Sequence, residues 1–266
     1  MNNLSIALVQ CQKSASVEEV ALSKSLNIPI IIPNQLARST KFYLRFTDGR
    51  LSLFLNGKKA PGAVSVNFSQ SSIQRRIKDS IFKQGIIKAM AIKRSNFPRI
   101  LDGTAGLGKD SFLLASLGCA VTMYERSPIV HALLADGLQR GRMTANITVA
   151  AAISNLQLWN SNFDATIKLD QVADIVYLDP MFPRSRRSAR AKKDMYLLQQ
   201  LLSGEQEPRS QQGNQCDEFN LLDAARAIAQ KRVVVKRGKT TPYMGACKPD
   251  IEFKGSSNRY DVYLIT

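Results

Sequence analysis

One stretch near the middle of the chain restricts the fold more than any other. Residues 99–110 read RILDGTAGLGKD, in which a short apolar run ends at Asp102 and glycines follow at positions 103, 106 and 108. The next residues, SFLLASLG, have helical spacing. A strand, a glycine-rich turn and a helix in this order open the nucleotide-binding unit of α/β proteins. The glycines let backbone N–H groups approach a ligand, and the helix N-terminus adds partial positive charge.

Strand and helix patterns alternate from this stretch to the end of the sequence. The run VADIVYLD is apolar almost throughout, which is typical of a parallel strand buried on both faces. Two later runs, IEFKG and RYDVYLIT, indicate a final antiparallel pair. The alternation predicts an α/β fold with a Rossmann-like, doubly wound sheet and an antiparallel edge. The predicted strands are 99–102, 119–125, 146–150, 172–179 and 231–237; the predicted helices are 109–117, 127–141, 191–202 and 218–229, with a polar loop over 203–215.

The N-terminal part of the sequence has a different pattern. VEEVALSKSL has helical spacing, and Ser16 with Glu19 forms the sequence of a capping box at its start. Alternating apolar runs joined by Asp48-Gly49 and Asn56-Gly57 indicate β-hairpins in an antiparallel meander. Further on, RRIKDSIFKQGIIKAMAIKR is basic and helical in its spacing. We therefore expect three parts: a small α+β domain over 1–70, a basic helical connector over 71–98, and the α/β domain over 99–266.

Charge is the most informative part of the composition. The 266 residues include 37 Lys and Arg against 21 Asp and Glu, a net charge of +16, which favours nucleic acid over a membrane surface as partner. Hydrophobic residues make up 44%, enough for a packed core. No apolar run reaches membrane-spanning length and the start lacks the features of a signal peptide, so we expect a cytoplasmic protein. With no C-x-x-C pair and His131 as the single histidine, we expect no metal site.

Two cofactor classes fit the glycine-rich turn. A dinucleotide site has G-x-G-x-x-G directly after the strand, whereas here the order is D-G-x-x-G-x-G. In an S-adenosylmethionine site, Asp102 and Asp110 could meet the methionine ammonium while Gly106 and Gly108 pass close to the ligand. Glu125, at the end of the second predicted strand, could accept hydrogen bonds from the ribose hydroxyls. Glu125 would serve NAD equally well, so it does not distinguish the two classes.

The sequence DPMFP at the end of the fourth predicted strand favours the second class. Asp179 followed by a rigid proline turn offers a carboxylate and the Pro180 carbonyl as paired acceptors for the two N–H groups of an exocyclic amine. The amine nitrogen could then face a sulfonium methyl, and Phe182 could stack on the base. Asp179, Pro180 and Phe182 are the candidate catalytic residues. A proline-rich loop with an aspartate capping a turn is the simpler interpretation.

A run of cations, RSRRSARAKK, follows at once. Beside a catalytic turn, such a run could contact phosphates around a presented base, although a basic helix start at the surface would have the same sequence. A base inside a regular duplex could not present its amino group, so we expect an unpaired or flipped base. The candidate RNA-binding residues are Arg184, Arg186, Arg187, Arg190, Lys192 and Lys193.

Several segments together resemble the ribosomal RNA small subunit methyltransferase J family. They are LDGTAGLGKDSFLLASLGC, MYERSPIVHALLADGL, VYLDPMFPRSRRSARAKKDM, KRVVVKR and RYDVY. The resemblance implies a class I S-adenosylmethionine-dependent methyltransferase that modifies N2 of one guanosine, with 16S ribosomal RNA or the small ribosomal subunit as partner. It also implies cofactor contacts at Lys109, Asp110, Glu125, Arg126 and Asp179. A further contact falls after the third strand, where the family tends to have two serines and our alignment puts Ala151 and Ala152.

Three other functions remain compatible with the residues. A nicotinamide-dependent oxidoreductase would use the same glycine-rich turn and Glu125. A methyltransferase acting on adenine or cytosine amines of DNA would share the Asp-Pro chemistry, and dependence on the substrate 2′-hydroxyl would separate it from an RNA enzyme. A non-catalytic protein would bind RNA without consuming S-adenosylmethionine.

Overall fold

The computed structural model describes residues 5–58, 60–78, 81–163, 172–180, 193–205 and 211–266, with side chains left undescribed at 78, 193, 204–205 and 211–217. Two β-sheets, of four and seven strands, organise the described residues. The chain divides into two compact units. The first comprises residues 1–67, 127–137 and 181–208, and the second comprises residues 68–126, 138–180 and 209–266.

The smaller sheet belongs to the first unit and has the strand order β2-β1-β3-β4. β1 pairs in parallel with β2 and β3, and β3 and β4 form the antiparallel hairpin predicted at Asp48-Gly49. The predicted capping box is confirmed, because the Ser16 hydroxyl accepts from the Glu19 N–H and the Glu19 carboxylate accepts from the Ser16 N–H. The elements are β1 (Ile6–Val9), α1 (Val17–Leu26), β2 (Ile30–Ile31), β3 (Phe42–Thr47) and β4 (Arg50–Leu55).

Two predictions for the stretch of sequence between β4 and residue 98 are wrong. The hairpin expected at Asn56-Gly57 is reduced to one isolated bridge between Leu53 and Val64, so the antiparallel meander is limited to β3 and β4. The basic helix is broken into α2 (Ser71–Lys78), a short 3₁₀ turn and α3 (Gly85–Ala89). Gln84 has an extended backbone before α3, and its side-chain amide donates to the Arg76 carbonyl at 2.7 Å. That side chain satisfies a carbonyl that a continuing helix would otherwise use.

The seven-stranded sheet lies in the second unit and has the order β10-β11-β9-β8-β5-β6-β7. All neighbouring pairs are parallel except those made by β11, which confirms the doubly wound sheet with antiparallel pairing at one side. Its strands are β5 (Ile100–Asp102), β6 (Val121–Tyr124), β7 (Leu156–Trp159), β8 (Ala173–Leu178), β9 (Ala229–Gly238), β10 (Ile251–Lys254) and β11 (Asn258–Leu264).

The remaining helices confirm most of the predicted alternation and correct one strand. Residues 146–150, predicted as the third strand, begin a helix instead, because the Asn146 side chain accepts from the Val149 N–H and caps it. The strand that pairs with β6 is β7, further along the chain. Part of the predicted polar loop is helical from residue 211 onward. The helices are α4 (Lys109–Ala115), α5 (Pro128–Arg142), α6 (Ile147–Ser154), α7 (Lys193–Glu205) and α8 (Gln211–Ile228).

The strand order places the candidate residues at one edge of the larger sheet. β5 lies between β6 and β8, so the chain winds in opposite directions on its two sides, and the carboxyl ends of these strands border a crevice where α/β proteins bind ligands. Asp102, Glu125 and Asp179 end or directly follow β5, β6 and β8. Among the described helices, none is both long and apolar enough to cross a membrane.

Candidate active site

Asp102 is the last residue of β5, directly before the glycine-rich turn. Its Oδ1 accepts from the Thr104 N–H at 3.0 Å, and its Oδ2 accepts from the Ser111 hydroxyl in α4. The residue is 2% exposed, and burial raises its pKa to about 7. Gly106 and Gly108 have left-handed backbones, with φ of 55° and 68°, which glycine adopts without strain. Asp102 thus ties the turn to α4, and its contact with a methionine ammonium stays a prediction.

The same turn is joined to the end of β8. The Thr104 hydroxyl oxygen accepts from the Asp179 N–H at 2.6 Å, and the Gly103 N–H donates to the Tyr177 carbonyl at 3.0 Å. A Cβ at Gly103 would lie 2.8 Å from a methyl of Leu178, so the turn and β8 are in close contact. The glycine-rich turn, predicted to hold a cofactor, and the end of β8, predicted to hold an amine, are therefore joined by hydrogen bonds.

Glu125 follows β6 and reaches the glycine-rich turn. Its Oε2 accepts from the Gly106 N–H at 2.9 Å, and its own N–H donates to the Trp159 carbonyl at 3.1 Å. The residue is buried, whereas Arg126 beside it is exposed. Glu125 is thus held at the carboxyl end of its strand, where the sequence placed it, with its carboxylate against the turn.

Asp110 in α4 is surrounded by donors from three other elements. Its Oδ2 accepts from the Tyr177 hydroxyl and from Lys236 Nζ, each at 2.8 Å, and its Oδ1 accepts from the Arg76 guanidinium at 3.0 Å. Burial opposes ionisation, but Lys236 and Arg76 more than offset it and hold the pKa of Asp110 well below its usual range. Asp110 is therefore an ionised carboxylate bound to two cations of the chain itself.

Lys236 is the functional candidate that the sequence analysis missed. It lies near the carboxyl end of β9, and its Nζ is also 2.7 Å from Asp179 Oδ2. A cation near the end of the strand next to β8 was a usable signal, because parallel strands end at the same edge. Tyr177 precedes Asp179 by two residues, so the alternation of side chains along a strand could have predicted that the two lie on the same side. Arg76 lies in the segment predicted as a basic connector, and its contact with Asp110, 34 residues further along the chain, was not predicted.

The two alanines predicted to contact the cofactor are placed elsewhere. Ala151 and Ala152 lie inside α6, the first exposed and the second buried, because the strand they were expected to follow is a helix. The residues that do follow the third parallel strand include Ser161 and Asn162. Ser161 and Asn162 therefore occupy the position after the third parallel strand, and a cofactor contact there stays a prediction.

Several predicted residues lie outside the described part of the chain. Pro180 is described and follows Asp179 at the end of β8, whereas Phe182 is not. Lys193 begins α7, but its side chain is not described. The other candidate RNA-binding residues also lie outside the described residues: Arg184, Arg186, Arg187, Arg190 and Lys192.

This set of groups fits S-adenosylmethionine. Glu125 places a carboxylate against the turn, a group that suits ribose hydroxyls, and the left-handed glycines at 106 and 108 carry no side chains there. The carboxylates at this edge suit a cofactor that carries a sulfonium and an ammonium. Within the described ranges, no three His, Cys, Asp or Glu side chains are grouped to hold a metal ion.

A family model, two curated relatives and one solved structure that are similar to this chain are all described as methyltransferases. A family model described as "Putative SAM-dependent methyltransferase" matches residues 31–265. Ribosomal RNA small subunit methyltransferase J of Pseudoalteromonas atlantica is 42% identical over 82% of this chain and 83% of its own, and that of Shewanella oneidensis is 40% identical over 84% and 86%. The crystal structure of a SAM-dependent methyltransferase from Neisseria gonorrhoeae matches with a TM-score of 0.70, at 30% identity, over 97% of this chain and 95% of that one.

Proposed function

Because the chain belongs to the ribosomal RNA small subunit methyltransferase J family, we propose that it methylates the exocyclic N2 amino group of one guanosine in 16S ribosomal RNA. It is an S-adenosylmethionine-dependent methyltransferase. When bound, S-adenosylmethionine supplies an electrophilic methyl group on a positively charged sulfur. The residues of the chain have to bind the donor, present the amine and exclude competing geometries.

One observation carries the proposal: the Thr104 hydroxyl accepts from the Asp179 N–H at 2.6 Å. This bond links the glycine-rich turn to the Asp-Pro turn, so the position of one half of the site depends on the other. Two reactants bound by the two turns would be held near each other, and such positioning lowers the barrier of a bimolecular reaction by a large factor.

Asp179 and Pro180 are the residues that we assign to the amine. The Asp179 carboxylate and the Pro180 backbone carbonyl each accept one N–H of the guanine amino group, which orients the nitrogen lone pair. These acceptors would also stabilise the positive charge that develops on nitrogen as its bond to the methyl carbon forms and the bond from that carbon to sulfur breaks, which leaves the sulfur as a neutral thioether. The nitrogen then loses one proton, to water or to Asp179. We assign base stacking to Phe182.

The donor would be held at the ends of β5 and β6. We assign the ribose hydroxyls to Glu125, and the backbone approach to Gly106 and Gly108. Lys109 and Arg126, beside Asp110 and Glu125, remain candidates for further contacts, and Asp102 supports the turn from inside. In place of Ala151 and Ala152, we assign the contact after β7 to Ser161 and Asn162.

The proposed substrate is an unpaired or flipped guanosine within 16S ribosomal RNA, either free or in the small subunit. The net charge of +16 supports a polyanionic partner. We assign phosphate contacts to the cations after the Asp-Pro turn: Arg184, Arg186, Arg187, Arg190, Lys192 and Lys193. A ribosomal RNA substrate also implies that the enzyme works in the cytoplasm.

The identity of the methylated nucleoside tests this function. Purified protein, S-adenosylmethionine and unmodified 16S RNA should yield N2-methylguanosine at one site, measured by digestion and mass spectrometry. DNA of the same sequence serves as the control, and it should not be methylated, because the 2′-hydroxyl distinguishes the two polymers. Methylation of an adenine or cytosine amine, or equal activity on DNA, would contradict the proposal.

A further inference from the structure

Lys236 joins two carboxylates at the carboxyl edge of the larger sheet. Its Nζ lies 2.8 Å from Asp110 Oδ2 and 2.7 Å from Asp179 Oδ2. The Lys236 side chain is 25% exposed, so water and salt screen these contacts less than they screen a surface ion pair. Of its two partners, only Asp179 belongs to the turn assigned to the amine.

The two carboxylates that contact Lys236 differ in their exposure to solvent. The Asp110 side chain is 12% exposed and also accepts from Tyr177 and Arg76, whereas the Asp179 side chain is 36% exposed. Asp110 is thus the better fixed partner and determines where the Lys236 ammonium lies. The ammonium in turn contacts Oδ2 of Asp179 at 2.7 Å and restricts where that oxygen lies.

The charges around Lys236 keep it protonated. Burial alone lowers the pKa of Lys236, but Asp110 and Asp179 outweigh burial and raise it well above its usual range. The two tyrosines nearby are neutral, since burial and the carboxylates raise the pKa of Tyr260 to about 12 and that of Tyr177 well above its usual range. Among the described residues, the other titratable groups that act on this cluster are Asp102 of β5, Asp110 of α4, Tyr177 of β8, Tyr260 of β11 and Arg76 of α2.

Removing the ammonium would leave neighbouring carboxylates with less positive charge between them. Asp110 would keep Arg76, but Asp179 would lose the cation that contacts its Oδ2. A carboxylate near other carboxylates binds a proton more readily when a cation beside it is removed. A protonated Asp179 would offer a donor where the amine needs an acceptor.

We propose that Lys236 is a positioning residue for methyl transfer, which holds the Asp179 carboxylate ionised and oriented as the acceptor of the substrate amine. This role rests on the proposed function, because it presumes that Asp179 receives an exocyclic amine. Lys236 acts through Asp179 and needs no contact with the substrate or the donor.

The chain supplies a matched control in Lys231. It lies five residues earlier on β9, and its Nζ is 2.7 Å from Asp174 Oδ1, while Asp174 lies five residues before Asp179. Lys231→Met therefore removes a lysine–aspartate ion pair with the same 2.7 Å distance, between the same two chain segments but away from the site. Lys236→Met removes the ammonium with little change of side-chain length, and Lys236→Arg keeps the positive charge.

The first measurement needs no substrate. The carboxyl ¹³C shift of Asp179, assigned with Asp179→Asn, is followed between about pH 5 and 9 in the full-length protein. Wild type, Lys236→Arg and Lys231→Met should show an ionised carboxylate throughout this range. Lys236→Met should show protonation of Asp179 within this range, with a midpoint at about pH 5 or above. An Asp179 that stays ionised throughout in Lys236→Met, or that titrates equally in Lys231→Met, would overturn the proposal.

The second measurement follows RNA methylation against pH. Lys236→Met should lower kcat by about tenfold or more, while the KM for S-adenosylmethionine changes little. The acidic limb of its kcat–pH profile should move to higher pH. Lys236→Arg should restore the wild-type limb, and thermal unfolding shows whether each variant is folded. A folded Lys236→Met enzyme with the wild-type profile would overturn the proposal. If wild-type protein does not methylate guanine amines, the proposed function fails while the ¹³C titration still tests the link between Lys236 and Asp179.

Discussion

Asp102 and Asp110 lie in one turn and the helix after it, yet their surroundings shift their pKa values in opposite directions. Asp102 is enclosed and accepts from neutral donors, so burial dominates and raises its pKa to about 7. Asp110 faces Lys236 and Arg76, which hold its pKa well below the usual range. The first carboxylate thus has a structural task as a neutral or weakly ionised group, and the second is a fixed charge.

This contrast predicts how stability depends on pH. Between the unfolded pKa of about 4 and its folded pKa, Asp102 binds more protons in the folded state, so its contribution to unfolding free energy falls as pH rises. Asp110 has the opposite sign, and its contribution is lost as pH falls below about 4. Asp102→Asn mimics the protonated acid and does not titrate. As the pH rises from 5 to 8, its unfolding free energy should therefore fall by less than that of wild type, and the difference between the two falls should be about 1 kcal/mol or more. Urea unfolding at both pH values measures this difference.

Ser111→Ala serves as the comparison for Asp102→Asn. It removes the hydroxyl that donates to Asp102 Oδ2 but leaves the carboxyl group in place. The decline of stability from pH 5 to 8 should therefore remain, or steepen, in this variant. An equal decline in wild type and Asp102→Asn would show that Asp102 does not titrate in this range.

Glu125 predicts a separate effect on the donor. Its carboxylate holds the Gly106 N–H and is assigned to the ribose, so Glu125→Ala should weaken S-adenosylmethionine binding by about tenfold or more. Glu125→Gln keeps an oxygen for the Gly106 N–H and should lose less. Calorimetry measures both affinities, and an unchanged affinity in Glu125→Ala would remove Glu125 from the donor site.

At the scale of elements, local sequence explains most of the fold. The apolar runs of β5 and β8, the capping box of α1 and the Asp48-Gly49 turn are each encoded within a few residues, and each is present. The third strand was misplaced because ITVA has β-branched residues typical of strands, whereas the Asn146 cap and three consecutive alanines favour a helix. Before α3, Gln84 donates to the Arg76 carbonyl, a contact that the spacing of apolar residues does not reveal.

The contact between α5 and α6 gives a prediction at this scale. A Cβ at Gly141 would lie 2.1 Å from Cδ1 of Ile153, a fully buried side chain. Gly141→Ala should therefore destabilise the protein by about 1–3 kcal/mol, although alanine is the better helix former. Ile153→Val removes that Cδ1, so Gly141→Ala should lower the unfolding free energy by less in a protein that already carries Ile153→Val. Chemical denaturation of the double-mutant cycle tests this, and additive effects would contradict the packing argument.

At the scale of the whole molecule, sequence reasoning predicted both ends of the site and missed what joins them. The glycine-rich turn and the Asp-Pro turn each lie in one short segment. Their connections, Thr104 to Asp179 and Lys236 to Asp110 and Asp179, join residues that lie 57 to 126 positions apart in sequence. Such contacts follow from the order of strands in the sheet, and a pattern within one segment cannot encode them. The division of the chain at residues 70 and 98 stays a prediction.

The central claim is that Asp179 enables methylation of one guanosine in 16S ribosomal RNA. Mass mapping of 16S RNA from cells that lack the gene tests it most directly, with complementation by wild type and by Asp179→Asn expressed at equal levels. The account predicts one guanosine without its N2-methyl group in the deletion strain, restored by wild type and not by Asp179→Asn. The same methylation in the deletion strain, or full restoration by Asp179→Asn, would contradict it.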